Sequence, residues 1–449
     1  MRKKFLFLMV LAFATATYAQ TSDTSSKPDT LKLSLPEALQ IALSESPTIK
    51  IADKEIQRVD YSKKESWSGL FPTIDGTGSF QKYATASTMA LAGMTIKLPS
   101  DWGASLGVQA ALPLVAPALW QSIKMGETEM KLALAKATAS KIDLRNNVSK
   151  AYYGVLLAES SYAVLQSSYK LAKQNYDQAK TRFNLGLAAE YDAISAEVQL
   201  NNLQPNILAV ESGIRQAKLM LKVLLSIDAS VELAVEGKLT NFETDVRGLN
   251  SERNVKLDNN VDLLQLDVQK QQLKEALSIQ KTQFMPTLAA FAQYNYAGQG
   301  NKAAVNFITQ QPSPASTSWY GQGLIVGLQL NVPIFHLNNL YKVKKLKVQA
   351  ESLDIARDLT ESQLKVQARS ALDNMDKADK QVEAAKKAIT LAQKGFDISS
   401  KRYENGGGTI LELNAATVSL SNAQLSYNQA ISDYLNAKAD LDKILGVQN

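Results

Sequence analysis

The sequence predicts an α+β membrane protein in which a transmembrane β-barrel, with four strands from each chain, continues into a long α-helical barrel. Three observations predict this class. The chain is a tandem duplication, each copy contains two strands of alternating hydropathy, and each copy then continues as a proline-free helical stretch of about 65 residues. These features place a short membrane sheet at one end of a much longer helical body.

The duplication is clearest where residues 171–204 recur as residues 391–424. The identical pairs are Leu171/Leu391, Ala172/Ala392, Asp177/Asp397, Arg182/Arg402, Gly186/Gly406, Ala196/Ala416, Val198/Val418, Leu200/Leu420, Asn202/Asn422 and Gln204/Gln424. Polar positions flank apolar ones at three- and four-residue spacing on both sides of each glycine. Each copy is therefore expected to contain two helices joined by a tight glycine turn.

The N-terminus has the pattern of a secretory signal. Residues 1–19 combine a basic start, an apolar run and small residues before Gln20, so we expect cleavage there and export from the cytoplasm. The polar residues that follow predict a flexible leader over 20–33. We then expect a first copy over 34–225, a linking segment over 226–260 and a second copy over 261–449.

Composition excludes several function classes. The net charge is +6, and Arg2, Lys3 and Lys4 supply three of these charges, so the chain after residue 19 carries about +3 (6 − 3), too little to indicate a nucleic-acid partner. Cysteine is absent and His336 is the only histidine. Because nucleophilic triads and zinc sites need such residues, we expect no enzyme activity, no cofactor and no metal site.

Two short helices should precede the strands. Ser34 and Glu37 have the spacing of a capping box, with Pro36 in the first turn, and they predict a helix start at Ser34. Pro47 should interrupt this helix, because a proline inside a helix removes a hydrogen bond and clashes with the preceding turn. A second helix is then expected to continue to about Trp67.

At Pro72 the hydropathy period changes to two, which predicts strands of about ten residues. Apolar residues that include Leu106 and Val108 alternate with polar ones, and Val326 and Leu328 repeat the pattern in the second copy. These four are expected to face lipid, whereas Gln109 and Gln329 are expected to face the lumen. Aromatic residues at the strand ends favour a membrane over the alternative, a half-buried hairpin in a soluble protein. They are Trp67, Phe71, Tyr83, Trp102, Phe284, Tyr294, Tyr296, Trp319 and Tyr320.

Four strands cannot close a transmembrane barrel, because the smallest such barrels have eight. An open sheet edge is not viable in lipid, so several chains would have to pool their strands. Two chains would give eight strands and a filled interior, and three would give twelve.

The helical stretches run from about Trp120 to Asn184 and from about Leu340 to Asn405 without proline. At 1.5 Å per residue each spans roughly 100 Å. Recurring small residues indicate close packing in a sheath of helices, and a soluble coiled-coil stalk is the alternative.

Several of these motifs together resemble the TolC family of outer-membrane efflux channels. They are the opening Leu35-Pro36-Glu37-Ala38-Leu39-Gln40, both Pro-Thr strand entries, both Pro-Leu/Pro-Ile strand exits and the Leu185-Gly186-Leu187 turn. The resemblance covers nearly the whole mature chain. It implies a homotrimer with a twelve-stranded barrel in the outer membrane and a helical tunnel through the periplasm. It also implies partners, namely a periplasmic adaptor protein tied to an inner-membrane pump or secretion ATPase.

The resemblance also assigns site residues. Leu185, Gly186 and Leu187, with Gly406 in the second copy, match the tip that contacts the adaptor. Glu412 matches an aspartate ring at the narrowest point of the tunnel. Asp192 and Tyr403 match positions of the latch that holds the tip closed.

Besides the second strand exit, which runs into His336-Leu337-Asn338-Asn339 rather than the family's usual Asp-Gly pair, two positions depart from the family pattern. Gly408 stands where the arginine partner of the latch would be, and Ala415 stands where a second aspartate ring would be. With no positive charge at residue 408, we expect an entrance that is more weakly latched and more cation-selective than that of a relative with an arginine there. The alternative is that Glu412 points into the helix interface and pairs with a lysine.

The function that follows is a passive export duct of a tripartite efflux or type I secretion system, with drugs, metal ions, a polysaccharide or a protein as cargo. The alternative is a periplasmic helical scaffold or adhesin stalk without a pore.

Overall fold

A computed structural model describes residues 31–85, 87–91, 94–98, 100–246, 256–301, 303–305 and 311–447. The predicted signal peptide (1–19) and the predicted leader up to residue 30 lie outside these residues. The last three residues assigned to the leader are not flexible chain, because Leu31–Leu33 pairs with Leu233–Val235 as a parallel strand.

Helices make up most of the described chain. They are α1 Leu35–Glu45, α2 Pro47–Ser68, α3 Pro117–Asn184, α4 Glu190–Leu225, α5 Val261–Thr282, α6 Leu337–Glu404 and α7 Ile410–Leu445. A 3₁₀ helix covers Leu239–Val246. The predicted start at Ser34 is confirmed, because the amide and the hydroxyl of Ser34 both donate to the Glu37 carboxylate at 2.8 Å. The predicted break at Pro47 is confirmed as well, since α2 begins there.

The two long hairpins have equal element lengths. Helices α3 and α6 each contain 68 residues, and α4 and α7 each contain 36. In the half of the body near the turns, α3 packs against α4 and α7, and α7 packs against α6. In the opposite half, α2 and α5 pack against α3, and α5 also packs against α6. Small buried residues of α3, such as Gly126, Ala133 and Ala179, allow this close approach. None of the described helices is long and apolar enough to cross a bilayer.

The described strands are β1 Leu31–Leu33, β2 Thr73–Lys82, β3 Ser87–Leu91, β4 Met94–Leu98, β5 Ser100–Val115, β6 Leu233–Val235, β7 Thr287–Asn301, β8 Ala304–Val305, β9 Pro312–Ser313 and β10 Ser316–Asn331. Four of them form an antiparallel sheet in the order β10-β7-β5-β2. The predicted length of about ten residues is right for β2, but β5, β7 and β10 contain 16, 15 and 16 residues. They are longer because backbone pairing continues where the side-chain alternation is interrupted.

The main core lies midway along the helical body. There α1, the β1–β6 pair and the 3₁₀ helix pack against α3, α6 and α7. Tyr152 of α3 is 1% exposed, and its hydroxyl donates to the carbonyl oxygens of Glu236 at 2.6 Å and Leu33 at 3.2 Å. Burial raises the pKa of Tyr152 to about 12. These contacts fix the segment between the two copies onto the helices, so the predicted linking segment is partly a structural element.

Candidate functional site

Two surfaces are candidates for function: the exposed sheet and the tip where the helical hairpins turn. Paired residues of neighbouring strands lie on the same face of a sheet, so the strand register separates the side chains into two sets. One face, the apolar face, carries Ile74, Phe80, Leu106, Val108, Ala110, Ala292, Tyr294, Tyr296, Leu324, Val326, Leu328 and Leu330. The other, the polar face, carries Asp75, Thr77, Ser79, Gln81, Ser105, Gln109, Gln293, Asn295 and Gln329, together with the apolar residues Phe291 and Ile325.

The apolar face is open to its surroundings. The four residues expected to face lipid all lie on it, with exposed fractions of 60% for Leu106, 55% for Val108, 71% for Val326 and 67% for Leu328. A single soluble domain does not leave so continuous an apolar surface uncovered. The two residues expected to face the lumen, Gln109 and Gln329, lie on the opposite face.

An aromatic band crosses the apolar face at the end of the sheet away from the helices. The ring centre of Trp102 lies 6.0 Å from that of Phe80 and 5.9 Å from that of Trp319. Trp319 in turn stacks on Tyr296, with 5.7 Å between the ring centres. A Cβ at Gly300 would overlap the Trp102 indole, and one at Gly298 would overlap the Trp319 indole. These glycines leave room for the indoles to lie along the sheet, as expected of a band at a membrane–water interface.

At the other end of the molecule, each long hairpin turns at a glycine with a positive φ. Gly186 has φ +73° and Gly406 has φ +77°, a backbone conformation that glycine adopts without strain. In the first turn the amide of Leu187 donates to the Arg182 carbonyl at 2.8 Å, and in the second the amide of Gly407 donates to the Arg402 carbonyl at 2.8 Å. Each glycine therefore closes its helix with the same bond.

The two tips carry different side chains. Leu185 is 68% exposed and Leu187 is 67% exposed, and Tyr191 in the first turn of α4 is 63% exposed. The second tip has Asn405 and Gly407 at the equivalent positions. The first turn therefore presents two exposed leucines, whereas the apolar residue exposed beside the second turn is Leu411, the equivalent of Tyr191.

Arg182 joins the two tips. Its guanidinium, on the last turn of α3, donates to the carbonyl oxygens of Tyr403 and Glu404 at the end of α6. It also lies over the Tyr403 ring, 5.2 Å from the ring centre. A cation at this point offsets the partial negative charge of the helix C-terminus. A Cβ added at Gly406 would lie 3.4 Å from the same guanidinium, so Arg182 fills the space beside that turn.

Tyr403 does not line an opening in the single chain. It is 4% exposed and packs with Ala179, Ala196, Ile410 and Leu413 between the hairpins. Its hydroxyl has no hydrogen-bond partner among the described residues. Burial raises the pKa of Tyr403; the Asp192 carboxylate raises it further, and Arg182 opposes the rise. The structure thus brings Asp192 and Tyr403 into electrostatic contact, with Tyr403 as an interhelical residue.

Glu412 is half exposed, but it is not without a positive neighbour. The Arg402 guanidinium lies 3.5 Å from its carboxylate, and the Glu412 amide donates to the Thr409 hydroxyl at 3.2 Å. The lack of a positive charge at residue 408 thus does not leave Glu412 unpaired, because Arg402 of the same hairpin supplies one. The cation selectivity of the entrance stays a prediction. At Gly408 a Cβ would lie 3.1 Å from the Arg402 Cβ and 3.2 Å from the Tyr403 nitrogen, so a side chain there would require the turn to shift.

Sequence reasoning assigned no role to Arg182 or Arg402. The signal that could have identified them is their coincidence in the duplication, four residues before each turning glycine. The structure gives them different partners, the opposite hairpin for Arg182 and the same hairpin for Arg402. Among the described residues, no group of three or more His, Cys, Asp or Glu side chains could hold a metal ion.

Comparison with known proteins gives a consistent picture. The model of the outer membrane efflux protein family matches residues 38–226 and 254–447. The outer membrane protein TolC of Vibrio cholerae is 22% identical over 348 residues, which cover 76% of each chain. TolC of Escherichia coli is 24% identical over 341 residues, which cover 74% of this chain and 66% of that one.

Solved structures of outer-membrane channels share the fold. The CmeC channel of Campylobacter jejuni superposes with a TM-score of 0.71 at 17% identity, over 92% of this chain and 85% of CmeC. The open state of the MtrE channel of Neisseria gonorrhoeae gives a TM-score of 0.70 at 17% identity, over 92% and 88% of the two chains. VceC of Vibrio cholerae gives 0.70 at 14% identity, over 92% and 96%.

Proposed function

The chain belongs to the outer membrane efflux protein family, whose members are channels rather than enzymes, and it is an outer-membrane protein; from this we propose that it is the passive exit duct of a tripartite efflux or type I secretion system. Three copies would form a twelve-stranded barrel in the outer membrane, continued by a helical tunnel in the periplasm. The observation that carries the proposal is the four-stranded sheet with an exposed apolar face and two open edges.

The open edges support a pooled barrel. Strands β2 and β10 have no further strand partner among the described residues. Backbone groups left unpaired in lipid cost several kcal/mol each, as an order of magnitude, so both edges need partners. Strand β10 of one copy runs antiparallel to β2 of the next, and such a head-to-tail contact closes into a ring. Three copies supply twelve strands, enough for a lumen.

The helical body supports the same arrangement. Along α6, whose main helical neighbours are α5 and α7, apolar side chains are left exposed at Val348 (63%), Ile355 (70%) and Val366 (69%). At the opposite edge of the helical layer, Ile51 of α2 is 69% exposed and Leu208 of α4 is 64% exposed. In a ring, each α6 edge would pack against α2 and α4 of the neighbouring copy and bury both sets.

The tip supports contact with a periplasmic adaptor. Exposed Leu185 and Leu187 project from the end of a helical body about 100 Å long, far from the sheet proposed to lie in the membrane. We assign the adaptor, and through it an inner-membrane pump or secretion ATPase, as partners of this end. Asp192 and Glu412 lie beside the same tip, where three copies would place their carboxylates around one axis.

The test is to purify the protein from outer membranes in mild detergent and to measure its mobility before and after heating and its conductance in a planar bilayer. We expect an oligomer that dissociates on heating and that conducts ions. A stable helical oligomer that never conducts would favour the stalk without a pore.

A further inference from the structure

The two strand hairpins of the sheet have the same register. Thr73 of β2 pairs with Ala111 of β5, and Thr287 of β7 pairs with Asn331 of β10. The two pairs differ by 214 residues (287 − 73) on one strand and by 220 (331 − 111) on the other. The first offset is that between the Pro72-Thr73 and Pro286-Thr287 strand entries, and the second is that between residues 171–204 and 391–424. The same two offsets convert each of the next seven β2–β5 pairs into a β7–β10 pair, up to the irregularity between Gly321 and Leu324.

A second junction joins the two hairpins within the chain. Strand β5 pairs with β7, with Val108 opposite Tyr294 and Gln109 opposite Gln293. In the duplication, β10 is the equivalent of β5 and β2 is the equivalent of β7. The β5–β7 junction inside the chain is therefore equivalent, by the duplication, to the β10–β2 junction that the two open edges would form between copies.

We propose that β10 of one copy joins β2 of the next in the register of the internal junction, an inference that rests on the proposed ring of copies. Applying the two offsets to Gln109 and Gln293 places Gln329 (109 + 220) opposite Ser79 (293 − 214) of the next copy. The same operation on the neighbouring pairs places Leu328 opposite Phe80 and Leu330 opposite Gly78.

The side chains agree with this register. Leu328, Leu330 and Phe80 all belong to the apolar face, and Gln329 and Ser79 both belong to the polar face. A slip of one residue would place apolar side chains of one copy beside polar side chains of the next, so it is excluded by the need to keep one face apolar. A slip of two residues keeps the faces matched, and only the equivalence with the internal junction selects between these registers.

Disulfide trapping tests the register directly, because the chain has no cysteine of its own. The matching pair is Gln329→Cys with Ser79→Cys. Control pairs combine Gln329→Cys with Thr77→Cys or with Gln81→Cys, which lie on the same face two residues away. All pairs on one face of an antiparallel ladder have the same geometry, so the three differ only in register. The pair Gln109→Cys with Gln293→Cys bridges the internal junction and is the positive control for oxidation. Its disulfide lies within one chain, so it is scored by the changed mobility of the denatured monomer without reductant.

Each variant is oxidised in isolated outer membranes, and covalent oligomers are measured after full denaturation without reductant. Native oligomers are scored separately on unheated samples. We expect the Ser79 pair to give covalent oligomers at least tenfold faster than either control pair. Native oligomers that crosslink faster through Thr77 or Gln81, or through none of the three, would overturn the register and leave the proposed assembly intact. The absence of native oligomers in the unsubstituted protein would overturn the assembly and the register together.

Discussion

The guanidinium of Arg182 lies 5.2 Å from the centre of the Tyr403 ring and donates to the carbonyl oxygens of Tyr403 and Glu404. This places a positive charge from the first hairpin on the C-terminal end of a helix in the second. Residue 408, where the family resemblance leads us to expect an arginine, is a glycine, and a side chain there would require the turn to shift. The contact that holds the two tips together is thus supplied from the opposite hairpin.

Arg182→Ala should loosen the tip. Hydrogen bonds to charged groups contribute about 1.5–3 kcal/mol, so the equilibrium between joined and separated tips should shift about tenfold or more. We expect a higher mean conductance in planar bilayers. Arg402→Ala is the matched control, because Arg402 contacts only its own hairpin through Gly407 and Glu412. Equal conductance of the two variants would show that Arg182 does not hold the tip.

Glu412 and Arg402 should set the ion selectivity of the entrance in opposite directions. Because the two side chains lie 3.5 Å apart and are both half exposed, each screens the other. Glu412→Gln should reduce cation selectivity and weaken block by multivalent cations, whereas Arg402→Gln should increase both. Reversal potentials across a salt gradient measure the change, and high ionic strength should diminish it. If neither substitution changed the reversal potential of intact oligomers, Glu412 would not line the aperture.

Leu187→Ser should abolish export without affecting assembly. Leu187 is 67% exposed, so its replacement should leave the packing of the chain intact. The expected loss is in adaptor crosslinking and in transport. Leu185→Ser should act in the same way. Asn405→Ser, at the equivalent of Leu185 in the second tip, should have little effect. Normal transport by the Leu187 variant would show that this turn only ends a helix.

Asp442 should destabilise the native helical body at neutral pH. Burial raises the pKa of its carboxyl above the ordinary value of 3.8, despite nearby Lys438 and Arg145. It also lies near the C-terminus of α7, where a negative charge is unfavourable, and the first copy has Lys222 at the equivalent position, donating to Ala229 at 2.9 Å.

A raised native pKa means that the contribution of Asp442 to stability is greatest below pH 3.8 and falls as the pH rises through the raised value. Asp442→Asn should therefore raise the melting temperature at pH 7, and the gain should shrink as the pH approaches 4. Asp433→Asn, exposed on the same helix, is the control. A lower melting temperature at pH 7 would contradict the assignment. Helical circular dichroism on heating provides the measurement.

The sequence predicted those features that depend on local patterns. The capping residues Ser34 and Glu37 located the first helix, and the period-two segments separated Val108 from Gln109 onto opposite faces. The long helices were predicted because nothing interrupts their period for about 65 residues. In each case neighbouring residues carry enough information to fix the structure.

Features that depend on distant contacts were missed. Arg182 and Tyr403 are 221 residues apart, and their contact depends on which hairpins are neighbours. The β1–β6 pair joins two three-residue strands, too short to show a period. The extra length of β5, β7 and β10 depends on pairing between strands rather than on alternation.

The central claim, that the apolar face of the sheet meets lipid in a barrel shared between copies, is tested most directly by comparing Val108→Arg with Gln109→Arg. Neighbouring residues of one strand point to opposite faces, so the two variants differ only in the surface that receives the charge. An arginine on the lipid face near the midplane costs about 2–4 kcal/mol, whereas the lumen tolerates it. We expect heat-dissociable oligomers from Gln109→Arg at the unsubstituted yield and a marked loss from Val108→Arg. Equal assembly of the two variants would contradict the account.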